Sequence, residues 1–442
     1  MVKITLINGD AGTGKTFKLT KYINNVIDKN KTFICLAFTH SAVNNLYDMF
    51  RFNYPNKLID KEYFQTIHKY FKIDPKKETI NNYSFNHIDY MFIDEYSLIS
   101  VNLLELIKDI IKKHVDRLVL CGDFKQLRTI DSKTNINYVS LNKYAEILNE
   151  YNFDKDIIKA IQLFDNSILS TKFINKNITD IVILKEHIRN DDKILEIINN
   201  ICFKEIDNEY IKTLYCCKSS LVDLMKNKGY AFIASTYDNL QKVNNMLSSN
   251  EHDTIEIKQK DLPSEYGLNN INLKYNQKVV ITETLKYGDD IITNGDILIF
   301  KEYNNKTNTI TIYDDDTDKY FIISPQVVAA NNNKIPKDFS ASVLGKFKYN
   351  DVIYYSYFPI LPNNLITYHK AQGKTIDNVI LCVDNIFEFS MLYTGLTRAK
   401  NNVLLFSFSE QIKNIKNVNT IYEYLNIMIN ELLYKEHTII QK

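Results

Sequence analysis

A glycine-rich stretch near the start of the chain constrains the fold more than any other feature. It consists of Gly9, Asp10, Ala11, Gly12, Thr13, Gly14, Lys15 and Thr16, and it fits the pattern GxxxxGKT. A short apolar run precedes it and an amphipathic run follows, which predicts a strand, a turn and a helix in that order. Backbone N–H groups at such a turn curl around phosphate at the positive end of the helix. We therefore predict a phosphate-binding loop, in which Lys15 reaches the β- and γ-phosphates of ATP and Thr16 binds Mg²⁺.

Length and charge set broad limits on the rest of the chain. The 442 residues allow two or three domains, and a hydrophobic content of 45% is ordinary for a globular protein. The 54 basic and 53 acidic side chains give a net charge of +1. This balance excludes a polybasic arm that binds nucleic acid by bulk charge, but it permits a groove that holds a strand by local contacts.

Cysteine usage and hydropathy indicate the compartment. The six cysteines match no zinc or redox spacing, and we interpret them as reduced thiols. We therefore expect an intracellular, reducing compartment, which could be cytoplasm, nucleus or a viral replication site. The sequence predicts no signal peptide and no membrane-spanning segment.

Two parts of the chain alternate short apolar runs with longer amphipathic runs. Apolar strands that alternate with helices indicate an α/β fold with parallel sheets covered on both faces. Between residues 296 and 362 the pattern changes to short alternating stretches joined by Asn- and Asp-rich turns. These stretches predict a small antiparallel β unit inside the second α/β part.

Two further motifs supply polar groups at the ends of predicted strands. Asp94 and Glu95 follow an apolar strand, at the sheet edge where open α/β sheets bind ligands. In that place Asp94 would hold Mg²⁺ and Glu95 would orient or deprotonate the attacking water, although acids also cap helices. Gln126, in the sequence GDFKQL, could contact the γ-phosphate and a bound strand, and an ordinary polar loop is an equally favoured interpretation.

The motifs occur in the order found in superfamily 1 helicases, which the chain resembles. The segments that carry this resemblance are GDAGTGKT, FIDEYS, GDFKQL, HKAQGKT and LYTGLTRAK. Four more resemble motifs of the RecD-like and Dda-like branch, namely AFTHSAVNN, TIHKYF, LKEHIRND and NGD. The match runs from about Ile4 to Phe406, so it covers nearly the whole chain.

The resemblance implies a domain arrangement. It predicts two RecA-like domains with parallel sheets and ATP bound between them. We expect the first domain at residues 1–178, with a short pin-like β-hairpin insertion at about 69–89. The second would comprise 179–295 and 363–442, with an SH3-like β insertion at 296–362. Candidate wedge residues of the pin are Phe71, Tyr83 and Phe85.

The resemblance also implies roles for individual residues. Arg398, with Arg189, would reach across the cleft to the γ-phosphate, and Gln372 and Gly373 would face the nucleotide. The residues expected to contact a single strand are Thr39, His40, Thr66, His68, Thr367, His369 and Lys370. Taken alone, Arg398 would be interpreted as a helix-end salt bridge, and each histidine as a structural hydrogen-bonding group.

The function implied by the resemblance is that of a DNA helicase driven by Mg²⁺ and ATP. It would translocate 5′ to 3′ on single-stranded DNA and unwind tailed duplex DNA, with replication or recombination proteins as candidate partners. Four alternatives stay open at this stage. They are a translocase without strong unwinding, a superfamily 1 RNA helicase, a phosphate-loop kinase of a small metabolite, and a non-catalytic nucleotide-sensing scaffold.

Overall fold

The computed structural model describes most of both α/β parts and of the β unit. The described residues are 2–74, 79–80, 84–127, 161, 164, 167–184, 192–202, 208–248, 253–263, 266–287, 290–330, 344–386, 389–409 and 439–441. Arg189 and Tyr83 lie outside these residues, so their predicted roles stay predictions. Among the described residues, no helix has the length and apolar composition needed to cross a membrane.

The described helices and strands alternate in the first and last parts of the chain. The helices are α1 (Lys15–Asp28), α2 (His40–Asn53), α3 (Ile67–Tyr70), α4 (Val101–His114), α5 (Lys172–Asn177), α6 (Asp192–Cys202), α7 (Asn208–Leu214), α8 (Lys218–Asn227), α9 (Tyr237–Ser248), α10 (Tyr368–Ala371) and α11 (Phe389–Leu396). The strands are β1 (Lys3–Gly9), β2 (Phe33–Ala37), β3 (Phe64–Thr66), β4 (Ile73–Asp74), β5 (Thr79–Ile80), β6 (Ile88–Ile93), β7 (Val115–Gly122), β8 (Ile178–Leu184), β9 (Ala231–Ala234), β10 (Ile255–Lys258), β11 (Asn270–Leu273), β12 (Lys278–Ile281), β13 (Leu285–Tyr287), β14 (Asp290–Ile292), β15 (Ile297–Asn304), β16 (Thr309–Asp314), β17 (Lys319–Ile323), β18 (Gln326–Ala329), β19 (Gly345–Tyr349), β20 (Val352–Tyr357), β21 (Ile360–Pro362), β22 (Leu365–Thr367), β23 (Ile376–Cys382), β24 (Ala399–Phe406) and β25 (Ile439–Gln441).

The first domain is built on a parallel sheet with the strand order β25-β8-β1-β7-β6-β2-β3. Successive strand residues face opposite sides. Leu6 and Leu36 therefore pack into one buried cluster, while Ile7 and Cys35 pack into another. Both faces are covered, which explains why these strands are apolar throughout.

The second domain holds a smaller parallel sheet with the order β22-β9-β23-β24. One face packs against α6 and α11 through a cluster that includes Ile233 and Leu381. The other face shares a cluster with the β unit, in which Phe232 and Phe300 are both fully buried. The two-domain α/β architecture predicted from the sequence is therefore present.

The β unit is larger than the sequence suggested. The predicted stretches form β15, β16 and β17 of an antiparallel sheet ordered β17-β16-β15-β12-β21. However, antiparallel pairing already begins at β10 and β11, well before residue 296. Strands of four residues are too short to reveal their alternation in the sequence, so the antiparallel pairing that precedes residue 296 was not predicted.

The predicted border between residues 178 and 179 also needs correction. Strand β8 pairs with β1 in the first sheet, and β25, near the carboxyl end of the chain, pairs in turn with β8. Residues 179–184 and 439–441 therefore belong to the first sheet and not to the second domain. An apolar run predicts a strand, but it carries no information about which sheet accepts it.

A short hairpin lies within the predicted pin segment. Strands β4 and β5 pair in antiparallel fashion, with Ile73 opposite Ile80. Phe71 precedes the hairpin, but its side chain is fully buried in the core of the first domain, and Phe85 packs against it with 5.8 Å between ring centroids. The interpretation of Phe71 as an exposed wedge was therefore wrong, because this ring anchors the base of the hairpin.

Candidate functional site

The glycine-rich loop joins β1 to α1 in the geometry that phosphate binding requires. Gly12 and Gly14 have φ angles of +84° and +76°, a left-handed conformation that favours glycine. The Lys15 ammonium group curls back over the loop and donates to the carbonyl oxygens of Gly9 and Asp10, at 2.8 Å each. Lys15 is therefore held at the mouth of the loop, where incoming phosphate oxygens can replace these carbonyl groups.

Asp94 and Glu95 stand beside the loop, at the carboxyl end of β6. The Thr16 hydroxyl donates to Asp94 Oδ2 at 3.3 Å, so the two predicted Mg²⁺ ligands are adjacent. Burial raises the pKa of Asp94 to about 7, and the neighbouring Glu95 carboxylate adds to this shift. A divalent cation would reverse this cost, because it favours the ionised carboxylate.

Several buried side-chain atoms have no hydrogen-bond partner among the described residues, and three of them belong to predicted nucleotide-site residues: Glu95 Oε2, Gln126 Oε1 and Gln372 Oε1. The amide nitrogens of the two glutamines already donate, to Asp123 Oδ2 at 3.3 Å and to the Leu127 carbonyl at 3.2 Å. The remaining oxygens require a donor, which a water molecule provides and a phosphate oxygen does not. These three oxygens are therefore suited to accept hydrogen bonds from bound water.

Side chains of the second domain reach across the cleft to the first. The Tyr393 hydroxyl accepts a hydrogen bond from the Ala11 N–H at 3.1 Å and donates to Asp123 Oδ2 at 3.0 Å. The Thr394 hydroxyl accepts from the Leu127 N–H at 3.0 Å. Sequence reasoning missed these contacts. Tyr393 and Thr394 lie within the quoted LYTGLTRAK segment, but nothing in their spacing indicates which groups they touch.

Two ion pairs lie on the first-domain side of this cleft. Lys125 Nζ lies 2.6 Å from Asp10 Oδ1, and Lys15 Nζ lies 3.9 Å from Asp123 Oδ2. Burial raises the pKa of Asp123, whereas the charge of Lys15 opposes that shift. Asp123 therefore contacts the phosphate loop, its own loop and the second domain. No role for Asp123 was predicted from the sequence.

Arg398 is buried at the same cleft, with 2% of its surface exposed. Its guanidinium donates to the Thr394 and Lys374 carbonyls at 3.1 and 3.4 Å and to the Thr397 hydroxyl at 3.1 Å. Burial lowers the pKa of Arg398, while the negative charge of nearby Glu95 opposes that shift. Among the described residues the guanidinium contacts only neutral acceptors, so the alternative of a helix-end salt bridge has no support there.

A cavity of about 560 Å³, called the groove below, adjoins the cleft and lies between the first domain on one side and the second domain and the β unit on the other. Six of the seven predicted strand-contacting residues line it: Thr39, His40, Thr66, His68, His369 and Lys370. Thr367 is not among the lining residues. Gln372 and Gly373, predicted to face the nucleotide, line this groove too, as does Glu95. Asn294 and Gly295 of the NGD segment also line it.

The three predicted threonines share one structural task. Thr39, Thr66 and Thr367 cap α2, α3 and α10, and each hydroxyl accepts from the backbone N–H three residues later, at 3.1, 3.3 and 3.3 Å. Capping of this kind stabilises short helices. An accepting hydroxyl keeps its own proton for donation, so capping is compatible with contact to a phosphate group.

Burial weakens the positive potential of the groove. It lowers the pKa values of His40 and His68, so both side chains are mostly neutral at pH 7. Burial also lowers the pKa of Lys370 to about 8, with Lys374 as the second cause, and it lowers the pKa of Lys374. A bound polyanion would reverse these shifts, because it favours the charged form of each group.

Comparison with known proteins gives the context for this geometry. A family model described as an AAA domain matches residues 1–131, and one described as the viral superfamily 1 RNA helicase core domain matches residues 317–407. The RecBCD enzyme subunit RecD of Buchnera aphidicola (subsp. Schizaphis graminum) is 26% identical over 92% of this chain and 71% of its own length. The ATP-dependent DNA helicase Pif1 of Campylobacter jejuni is 23% identical over 98% of this chain and 95% of its own.

The chain is a superfamily 1 helicase of the RecD and Pif1 type. A structure of Bacteroides Pif1 bound to ssDNA covers 96% of this helicase, and is itself covered to 93%, with a TM-score of 0.59 and 17% identity. A structure of two coordinating Pif1 helicases at forked dsDNA gives a TM-score of 0.58 with 18% identity, over 97% of this chain and 94% of its own. The predicted family and the two-domain RecA-like fold class are thus confirmed. The roles of individual site residues in this helicase stay predictions.

Proposed function

We propose that this chain is an ATP-dependent DNA helicase that moves 5′ to 3′ along single-stranded DNA and unwinds tailed duplex DNA. The observation that carries the proposal is that Glu95 and Gln372 belong both to the predicted nucleotide site and to the groove. Both side chains line the groove, and each has a buried oxygen without a partner among the described residues; Glu95 follows Asp94, and Gln372 donates to the Leu127 carbonyl. A change at the nucleotide therefore acts directly on residues that face the strand.

The positions of the side chains support hydrolysis of ATP in the cleft. Lys15 and the loop N–H groups would bind the phosphates, and the Arg398 guanidinium would stabilise charge that develops on the transferred phosphoryl group. Glu95 Oε2 would accept a proton or a hydrogen bond from the attacking water, and Gln126 Oε1 would help to orient that water.

The oxygens of Thr16 and Asp94 would hold Mg²⁺, and hard oxygen ligands of this kind suit that cation. When bound, the ion neutralises charge on the β- and γ-phosphate oxygens. The raised pKa of Asp94 is consistent with this assignment, because the carboxylate lacks a full counter-charge in the protein alone.

Movement along a strand requires the affinities of the two domains for the strand to alternate. Arg398 and Lys15 belong to different domains, so a γ-phosphate between them would hold the cleft closed. Hydrolysis removes this link and lets the domains part, as in other hinges driven by a ligand. Since the groove has walls from both domains, its width changes with the cleft.

The relatives support the choice of nucleic acid and polarity. The two solved Pif1 structures described above are named as containing ssDNA or forked dsDNA, and one relative is named as an ATP-dependent DNA helicase. The 5′-to-3′ polarity is proposed from membership of the RecD and Pif1 type. RecD is named as a subunit of a larger enzyme, so a recombination or replication protein is a proposed partner for this chain as well.

ATP turnover with and without nucleic acid tests the proposal. We expect single-stranded DNA to stimulate turnover strongly, single-stranded RNA to stimulate it less, and Lys15→Ala to abolish it. Unwinding should then occur on a duplex with a 5′ tail and not on one with a 3′ tail. Turnover that ignores nucleic acid would support a metabolite kinase instead, and stronger stimulation by RNA would support the RNA helicase suggested by the viral family model.

A further inference from the structure

The Tyr393 hydroxyl occupies a position that the proposed chemistry does not yet explain. It bridges two first-domain groups, the Ala11 N–H at 3.1 Å and Asp123 Oδ2 at 3.0 Å, and all three groups are buried. Ala11 belongs to the phosphate loop, whereas Asp123 starts the loop that carries Gln126. One hydroxyl from the second domain thus ties together two loops of the nucleotide site.

Tyr393 is also connected to Arg398 through the neighbouring residue Thr394. The Arg398 Nε donates to the carbonyl of Thr394, the residue next to Tyr393, at 3.1 Å. The Thr394 hydroxyl is in turn fixed by the Leu127 N–H at 3.0 Å. The turn at the end of α11 is therefore anchored to the first domain by two neighbouring side chains, and the guanidinium is bonded to that same turn.

The acceptor at Asp123 makes the hydroxyl hard to replace. Asp123 is fully buried and its carboxylate receives further hydrogen bonds from the Lys125 N–H and the Gln126 amide, at 3.0 and 3.3 Å. Loss of the hydroxyl would leave the buried Ala11 N–H without its acceptor and Asp123 with one donor fewer. Buried groups that lose a partner rearrange or carry a large desolvation penalty.

We propose that Tyr393 is a positioning residue for ATP hydrolysis, whose hydroxyl sets the placement of Arg398 relative to the phosphate loop and Gln126. The inference rests on the proposed function, since it assigns Tyr393 to the same cleft. Tyr393 itself is not proposed to contact the substrate. Its consequence is that the hydroxyl affects the rate of the chemical step more than the binding of ATP.

Tyr393→Phe removes the hydroxyl and keeps the ring. We expect kcat for DNA-stimulated ATP turnover to fall about tenfold, while the Kd of ATP changes by less than about threefold. Tyr368→Phe is the matched control. Tyr368 is equally buried in the second domain, but its hydroxyl donates to the Cys382 carbonyl of the same domain at 3.1 Å. This control should lose stability and keep its kcat.

A double-variant cycle separates positioning from general destabilisation. If Tyr393 acts through Arg398, Tyr393→Phe should change kcat by less than about twofold in an Arg398→Ala background. Equal losses of kcat in Tyr393→Phe and Tyr368→Phe, or fully additive losses with Arg398→Ala, would overturn the inference. A Tyr393→Phe variant with the same kcat as an active wild-type chain would also overturn the inference. Absence of DNA-stimulated turnover in the wild-type chain would instead refute the proposed function itself.

Discussion

Replacement of Arg398 by alanine isolates what the second domain contributes to hydrolysis. The guanidinium is almost fully buried, yet its hydrogen bonds among the described residues go to two carbonyl groups and a hydroxyl. Its removal leaves no buried carboxylate without a direct partner, so the cost in folding free energy should stay at about 1–3 kcal/mol. An arginine that stabilises a transferring phosphoryl group contributes about a thousandfold or more to the rate, which equals about 4 kcal/mol of activation free energy.

The two effects can be measured separately. Single-turnover hydrolysis of prebound ATP, at saturating single-stranded DNA, should slow about a thousandfold in Arg398→Ala. The Kd of ATP should change by less than about threefold, because Lys15 and the phosphate loop remain intact. Arg398→Lys is the matched variant, since it keeps the charge but cannot span three acceptors in different directions. Hydrolysis by Arg398→Ala at the wild-type rate would refute the placement of this guanidinium beside the phosphates.

Three further perturbations test the groove and the hairpin. Alanine at both Thr367 and His369 should reduce DNA-stimulated ATP turnover more than basal turnover, and equal reductions would count against a strand-contacting role. Strand affinity should be highest below pH 8 and fall as the pH rises through the pKa of Lys370, about 8, because only the charged ammonium attracts phosphate. Titration of an oligonucleotide from pH 7 to 9.5 at fixed salt should show this fall in the wild-type chain and lose part of it in Lys370→Met. Phe71→Ala should lower the free energy of unfolding by about 3–5 kcal/mol in denaturant titrations, whereas unchanged stability with weaker unwinding would restore the wedge interpretation.

Local patterns were sufficient to predict that the phosphate loop, Asp94 and Glu95 lie at one edge of the sheet. The phosphate loop, Asp94 and Glu95 each follow an apolar strand, and parallel strands bring their carboxyl ends to one edge of the sheet. The chain therefore needs only the correct strand type for these groups to meet. Thr16 and Asp94, 78 positions apart, lie in hydrogen-bond contact for this reason.

Contacts between domains could not be predicted in this way. Tyr393 meets Ala11 over a separation of 382 residues, and this meeting depends on how two separately folded sheets face each other. Strand β8 was assigned to the wrong domain for a related reason, because pairing partners are chosen by tertiary packing. Phe71 was misjudged because an aromatic residue beside a hairpin has the same local sequence pattern whether it points outward or into the core.

The weakly charged groove is consistent with a motor that must release its strand in every cycle. Each cation that pairs with phosphate adds affinity, and a strongly basic track would hold the strand through both states of the cleft. In this chain burial lowers the pKa values of four groove residues, and a bound polyanion would oppose each shift: His40, His68, Lys370 and Lys374. The threonine hydroxyls that cap the helices would add contacts that depend on geometry more than on charge. A groove of this kind would bind the strand tightly only when its two walls are correctly spaced. The nucleotide cleft would control that spacing through Glu95 and Gln372.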